Sequence, residues 1–231
     1  ALEQSCNCYF VELGQVLGGS AVLQEAEKFG FGQACAVAPG LKSSAGLLPD
    51  GAALDNLGQL ALFSFGQGDL SATPLQITAM MNTIASGGAY RPPRFVCGVV
   101  DEALRLVTPL QVPEAQRVCR EDTAQVLRDM LRSVVEEGIG QDARPREGTA
   151  GGKTGTAQTG QFDSNGEELL NYWFSGFYPA EEPRYTITVL QDGVLEPETS
   201  SAAVFARIAD ALHVWEQDGA AEAGGPAAKR S

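Results

Sequence analysis

The chain has 231 residues, with 16 Lys+Arg against 29 Asp+Glu and a formal net charge of −13. At 44% hydrophobic content it can bury a core in one large domain or two small ones. The excess of acid, with the basic residues scattered, argues against nucleic acid and anionic lipid, which need clustered positive charge.

No run approaches the roughly 18 apolar residues of a membrane span. Ala1-Leu2-Glu3-Gln4 lacks the basic flank and apolar stretch of an export signal. Five cysteines (Cys6, Cys8, Cys35, Cys97, Cys119) show no Cys-x-x-Cys spacing and the chain has one histidine, His213, so neither a disulfide scaffold nor a metal site is expected. Cys6 and Cys8 stand too close in sequence for an unstrained bridge, and most of the five thiols are expected to be small buried side chains.

Tyr9, Phe10, Leu13, Val16 and Leu17 recur at helical spacing up to Gly18-Gly19, predicting a helix over 8–17 entered through Ser5-Cys6-Asn7. A second helix fits 20–29, with Ser20 as its N-cap and Gly30 as its stop. Gly32, Pro39-Gly40, Gly46 and Pro49-Asp50-Gly51 make 31–53 a loop region. Ser64-Phe65-Gly66-Gln67-Gly68 is a glycine-punctuated turn leading to Thr73-Pro74, where Thr73 can cap a helix that begins at Pro74 and runs to Gly87-Gly88. Residues 89–113 read as extended connections with a short strand. Val126, Leu127, Met130, Leu131, Val134 and Val135 then form one apolar helical face closed by Gly138.

Beyond that point the period becomes extended: strands are predicted over 153–159, 172–178 and 185–191, joined closely enough to pair antiparallel. A helix over about 199–215 offers Val204, Phe205, Ile208 and Leu212 to that sheet. The Ala/Gly-rich tail, residues 217–231, is expected to be disordered.

Gly148-Thr149-Ala150-Gly151-Gly152-Lys153-Thr154-Gly155-Thr156 is the densest cluster of chemically useful residues. As a phosphate loop it fails the spacing: the residue five before Gly152 is Glu147, and Thr156-Ala157-Gln158-Thr159-Gly160 is a poor helix start. As an edge strand, it offers the Lys153 ammonium to a substrate carboxylate, hydroxyls for hydrogen bonding, a glycine that allows close approach, and an amide for an oxyanion. Alone, Lys-Thr-Gly is also what a solvated strand lysine beside a turn glycine looks like, and Ser5-Cys6-Asn7 what an ordinary helix cap looks like. Their pairing across the chain is what raises both.

Together these segments resemble the penicillin-binding proteins, in particular the transpeptidase domain of the class B type. That family carries Ser-x-x-Lys, Ser-x-Asn and Lys-[Ser/Thr]-Gly in order. Phe29-Gly30-Phe31-Gly32, Ser64 to Gly68 with Thr73-Pro74-Leu75-Gln76, Ala85-Ser86-Gly87-Gly88, Gly152 to Gln158 and Trp173 to Pro179 look like further family blocks, so the resemblance covers about 3–215. It implies an α+β fold of the serine DD-peptidase/β-lactamase-like type, with a helical subdomain and an antiparallel sheet flanked by helices, over a partial transpeptidase domain at 1–216.

The resemblance also implies roles. Ser5 would relay protons near the nucleophile, and Asn7 would hydrogen-bond the substrate amide. Lys153 would supply positive potential for the substrate carboxylate, Thr156 half of the oxyanion hole, and Thr154, Gly155, Gln158 and Trp173 substrate contacts. The expected partners are D-Ala-D-Ala stem peptides and β-lactams, with other cell-wall synthesis proteins possible; no metal or organic cofactor is implied. The expected location is the outer face of the bacterial cell membrane. The chain departs from the family at one motif: the residues three before its four lysines are Glu25, Pro39, Ala150 and Pro226, so it contains no Ser-x-x-Lys. The pattern therefore implies a domain entered just before Ser5, without the nucleophile helix and the strands preceding it. Such a chain is expected to be inactive alone, to expose an unpaired sheet edge, and to depend on the preceding segment. The alternative is a non-catalytic module that binds peptide carboxylates reversibly.

Overall fold

A computed structural model describes residues 1–223. The helices are α1 (Asn7–Leu17), α2 (Gly19–Lys28), α3 (Leu57–Ser64), α4 (Pro74–Ala85), α5 (Glu121–Glu136) and α6 (Ser201–Ala223). The strands are β1 (Ala36–Ala38), β2 (Leu41–Lys42), β3 (Ala89–Tyr90), β4 (Gly98–Val100), β5 (Leu106–Pro109), β6 (Gln116–Arg117), β7 (Gly151–Phe162), β8 (Glu168–Tyr178) and β9 (Tyr185–Val194). The first six strands form three two-stranded ribbons, β1-β2, β3-β6 and β4-β5. The last three form an antiparallel sheet of order β7-β8-β9.

The central strand β8 explains why this sheet is buried on both faces. Side chains alternate along a strand, so Phe174 and Tyr178 turn one way and pack with Phe205, Ala202 and Ala209 of α6. Phe177 turns the other way, against Met81, Ile84 and Ala85 of α4 and Leu131 of α5. Gly152 and Gly176 permit this packing: a Cβ on Gly152 would lie 2.6 Å from the Phe174 ring, and one on Gly176 would lie 2.5 Å from the Gly151 carbonyl oxygen. A hydroxyl chain, Ser175 to Thr188 at 2.8 Å and Thr78 to Thr188 at 2.8 Å, ties α4 to the sheet.

The Thr73-Pro74 helix start is a capping box. The Thr73 hydroxyl accepts from the Gln76 amide at 3.1 Å, and the Gln76 side chain accepts from the Thr73 N–H at 3.0 Å. The buried Gln76 amide group also donates to the Gly30 and Ala45 carbonyls, at 3.1 and 2.8 Å, fastening the loops before α3 to α4. On the far side of α3, Gly14 of α1 lies against Ser64 so closely that a Cβ there would sit 1.9 Å from its Oγ. This contact holds α1 closely against α3.

Several expectations need correction. Cys6, Cys8 and Cys97 are exposed and only Cys35 and Cys119 are half-buried: Cys6 and Cys8 stand at the exposed start of α1, and Cys97 just before the short strand β4. Ser20 caps nothing: α2 begins one residue earlier, at Gly19 after Gly18. Each sheet strand outruns its predicted bounds, since hairpin pairing carries β7 and β8 past their apolar stretch. The 31–53 loop region holds the β1-β2 ribbon. The last helix continues to Ala223; the rest of the expected disordered tail, 224–231, lies outside the described residues. Among the described residues the outer edge of β9 has no partner strand, and β7 is the other edge.

Candidate active site

Two tethers place the Ser5 turn. Glu3 accepts a hydrogen bond from the Ser133 hydroxyl at 2.6 Å, and its carbonyl accepts from the Ile139 amide at 3.1 Å, fastening the segment to the end of α5. The Ser5 and Cys6 amides then donate to the Leu2 and Ala1 carbonyls, at 3.2 and 3.1 Å. Ser5 is held at φ +50°, in the left-handed region that a non-glycine residue rarely occupies. The N-cap of α1 is Cys6, with no side-chain cap bond, so Ser5 is not there to cap.

The Ser5 hydroxyl instead accepts a 3.0 Å hydrogen bond from Nζ of Lys153, 148 residues away. The same ammonium reaches the Thr154 carbonyl at 3.0 Å and the Thr154 hydroxyl at 3.3 Å. Burial against the sheet pushes the Lys153 amine below its ordinary range. A phosphate loop is excluded, because Gly152, Lys153 and Thr154 lie within a 12-residue strand rather than in a loop before a helix.

Thr154, Gly155, Thr156 and Trp173 line one side of a groove of about 430 Å³, which Asp142 and Glu196 share on the other. A Cβ on Gly155 would meet Trp173 at 3.4 Å, so this glycine leaves open the space beside the ring. Asn7 opens α1 two residues beyond Ser5 and is exposed. Gln158 is drawn away from the Lys153 end: its amide donates to Glu168 across the β7-β8 hairpin at 3.0 Å. A larger, apolar cavity of about 510 Å³ between the β1-β2 ribbon and the start of α4 contains none of the expected site residues.

One residue of the site lies in a block the sequence singles out, Ser64 to Gly68, but is given no role there. Gln67, in the turn after α3, donates from Nε2 to the Thr156 carbonyl at 3.3 Å. The available signal is its setting between Gly66 and Gly68, both at positive φ, which marks a shaped turn rather than a loose one.

An α+β domain whose lysine-bearing edge strand meets a serine from the helical side is the arrangement that the sequence resemblance implies. The chain belongs to the family of the penicillin binding protein transpeptidase domain, whose model matches residues 1–210. It is 35% identical over 229 residues to penicillin-binding protein PbpB of Mycolicibacterium smegmatis, covering 90% of this chain and 34% of that protein. It is 31% identical over 215 residues to peptidoglycan D,D-transpeptidase FtsI of Escherichia coli, with 90% and 34% covered. The crystal structure of penicillin binding protein 3 from Mycobacterium tuberculosis complexed with aztreonam superposes with a TM-score of 0.79 at 33% identity, covering 94% of this chain and 50% of that one. The fold is therefore of the serine DD-peptidase/β-lactamase-like type. The chain spans about a third of the length of these two curated relatives.

Proposed function

We propose that these residues form the carboxylate-reading and oxyanion-binding part of a peptidoglycan D,D-transpeptidase site, working with a Ser-x-x-Lys pair supplied from outside the 231 residues. The observation that carries this reading is the 3.0 Å contact between Lys153 Nζ and Ser5 Oγ. It joins two motifs that have no local reason to meet, and it draws a desolvated cation up to a hydroxyl at the edge of a sheet.

In this reading Lys153 faces the terminal carboxylate of a D-Ala-D-Ala stem peptide, or the acidic group of a β-lactam, as a fixed positive charge. The nucleophilic serine oxygen adds to the penultimate D-Ala carbonyl carbon, and the Thr156 amide stabilises the oxyanion. The C–N bond to terminal D-Ala breaks, and the serine proton, relayed through the Ser-x-x-Lys lysine and Ser5, ends on the leaving amine. An acceptor amine then attacks the ester, forming the cross-link and returning a proton to the serine. Asn7 holds the substrate amide, and the groove beside Thr154 and Trp173 takes the arm of the substrate. In this reading the substrate is cell-wall peptide, so the site would face the outer side of the bacterial cell membrane. Similarity to the E. coli D,D-transpeptidase and to a mycobacterial structure that holds aztreonam supports the assignment.

The test is free D-Ala released from a D-Ala-D-Ala-terminated peptide by the protein encoded by the complete reading frame. Release that quickens when a primary amine is added, with the amine joined to the product, is expected. The absence of Ser-x-x-Lys from these residues favours a second reading, a module that binds peptide carboxylates reversibly. Binding without D-Ala release would establish that reading instead.

A further inference from the structure

We propose that Glu3 is a positioning residue for Ser5, seating its turn on the end of α5 so that the hydroxyl stays at Lys153; the inference rests on the acyl-transfer reading above. Ser5 sits at φ +50°, a conformation that a residue with a side chain keeps only where its surroundings impose it. The bonds from the Ser5 and Cys6 amides to the Leu2 and Ala1 carbonyls close the turn on itself and reach no other element. What joins the turn to the rest of the molecule lies just before it. Leu2 packs against the cluster that includes Leu131 and Phe177, and Glu3 bonds to the end of α5.

Glu3 is held there by backbone and side chain together. Its carbonyl accepts from the Ile139 N–H at 3.1 Å, and its Oε2 accepts from the Ser133 hydroxyl at 2.6 Å. Gly138 lies between those two partners in the chain. A Cβ there would stand 2.4 Å from the Glu3 carbonyl oxygen and 2.7 Å from Glu3 Cγ, so the two segments meet with no room for a side chain. Ser133 is itself fixed, since its carbonyl accepts from both the Glu137 and the Gly138 amides, at 2.8 and 3.0 Å. The other Glu3 carboxylate oxygen accepts from Gln4 Nε2 at 3.1 Å. An acid gains nothing from the dipole at the carboxyl end of a helix, and α5 already ends in Glu136 and Glu137. The hydrogen bond, not the charge, is what seats Glu3.

The surface that receives Glu3 is rigid with respect to Lys153. Leu131, Val134 and Val135, which flank Ser133 on α5, are buried. Leu131 shares a cluster with Phe177 of β8, and Val135 shares one with Phe174 and with Ala150, the residue before β7. Ser5 is therefore tied to the Lys153 strand twice, once directly and once through Glu3, α5 and the sheet. The direct tie is one 3.0 Å bond between an exposed hydroxyl and a long side chain, which by itself does not select φ +50° for Ser5. Asn7 belongs to α1, whose Gly14 is pressed against α3, so its place does not depend on Glu3. Losing Glu3 displaces Ser5 and leaves Asn7 and Lys153 where they are, which slows chemistry without weakening binding.

The experiment uses the protein of the complete reading frame. Stopped-flow acylation by a penicillin separates the pre-acylation dissociation constant from the acylation rate constant. Glu3→Ala is expected to lower the rate constant about tenfold and to leave the dissociation constant within about twofold, because the relay hydroxyl moves and the carboxylate-binding lysine does not. Glu3→Gln, whose carboxamide oxygen still accepts from Ser133, is expected to stay within about threefold of wild type. Ser133→Ala, which removes the donor and keeps a good helix former, is expected to match Glu3→Ala, with the double variant no slower than either. A rate constant unchanged in Glu3→Ala, a change confined to the dissociation constant, a loss that glutamine does not restore, or losses that multiply in the double variant would each overturn the proposal. A second measurement needs no acylation by penicillin. Acetylation of Lys153 by acetic anhydride, read by peptide mass spectrometry against Lys28 and Lys42, is expected to rise several-fold in Glu3→Ala as the Ser5 hydroxyl leaves the amine. An unchanged ratio overturns the positioning role. If the wild-type protein takes up no penicillin at all, the acyl-transfer reading fails, and the acetylation ratio still decides whether Glu3 holds Ser5 at Lys153.

Discussion

Lys153 carries a charge that its surroundings disfavour. Burial lowers its pKa, so as pH rises the folded protein sheds this proton before an unfolded chain does. Between the lowered value and the ordinary lysine range near about 10.4, the unfolded state binds more protons and stability rises with pH. Affinity for a carboxylate falls over the same window, because the ammonium is the form that attracts it. We expect the dissociation constant for a D-Ala-D-Ala-terminated peptide to rise on the alkaline side at a pH below the ordinary lysine range. Lys153→Arg, which keeps its charge throughout, should flatten the curve. Affinity that holds steady up to the ordinary range would contradict a role for this ammonium. Of the site residues, sequence reasoning can name Lys153 and Ser5 and, through the family resemblance, a role for each, but not their contact, since nothing local closes a span of 148 residues. Gln67 stands in the Ser64–Gly68 block, but its contact is not legible there because its partner is a backbone carbonyl 89 residues away, which no side-chain pattern records.

At the scale of elements, the α1–α3 pair matters most, because Ser5 precedes one helix and Gln67 follows the other. Gly14→Ala makes a clean test, since two effects oppose each other. Helix propensity favours alanine by about 1 kcal/mol. The added Cβ would stand 1.9 Å from Ser64 Oγ and 2.8 Å from Ser64 Cβ, and the second atom cannot rotate away from the backbone that carries it. Overpacking of this kind costs about 1–3 kcal/mol, so the collision should win. Urea denaturation is expected to show Gly14→Ala less stable than wild type, while Gln15→Ala on the exposed side is neutral or slightly stabilising. A more stable Gly14→Ala would mean that the helices are not locked together there. Among elements, the α4 start is readable in sequence because Thr73, Pro74 and Gln76 act within one turn of each other. Ser20 misleads for the opposite reason: a residue with good capping chemistry has no effect when Gly18 has already turned the chain into the helix.

At the scale of the whole molecule, the sheet brings the two halves of the site together. β8 packs α6 on one face and α4 with α5 on the other, so its hairpin partner β7 is left at an edge with one side free to face Ser5 and Gln67. The change of period after residue 150 makes this sheet readable, and the alternation of Tyr185 to Gln191 locates β9. The exposure of three cysteines is not readable, because composition ranks residue types while tertiary packing decides which positions face inward. Among the described residues the outer edge of β9 and the cleft along β7 are opposite margins of the same three strands.

Labelling by a fluorescent penicillin bears most directly on the claim that Lys153 and Ser5 belong to one acyl-transfer site. The protein from the complete reading frame should be labelled covalently, and Lys153→Ala and Ser5→Ala should each slow labelling at least about a hundredfold while the melting temperature stays within a few degrees of wild type. Labelling that proceeds at the wild-type rate in folded Lys153→Ala protein, or a wild-type protein that takes up no label at all, would contradict it.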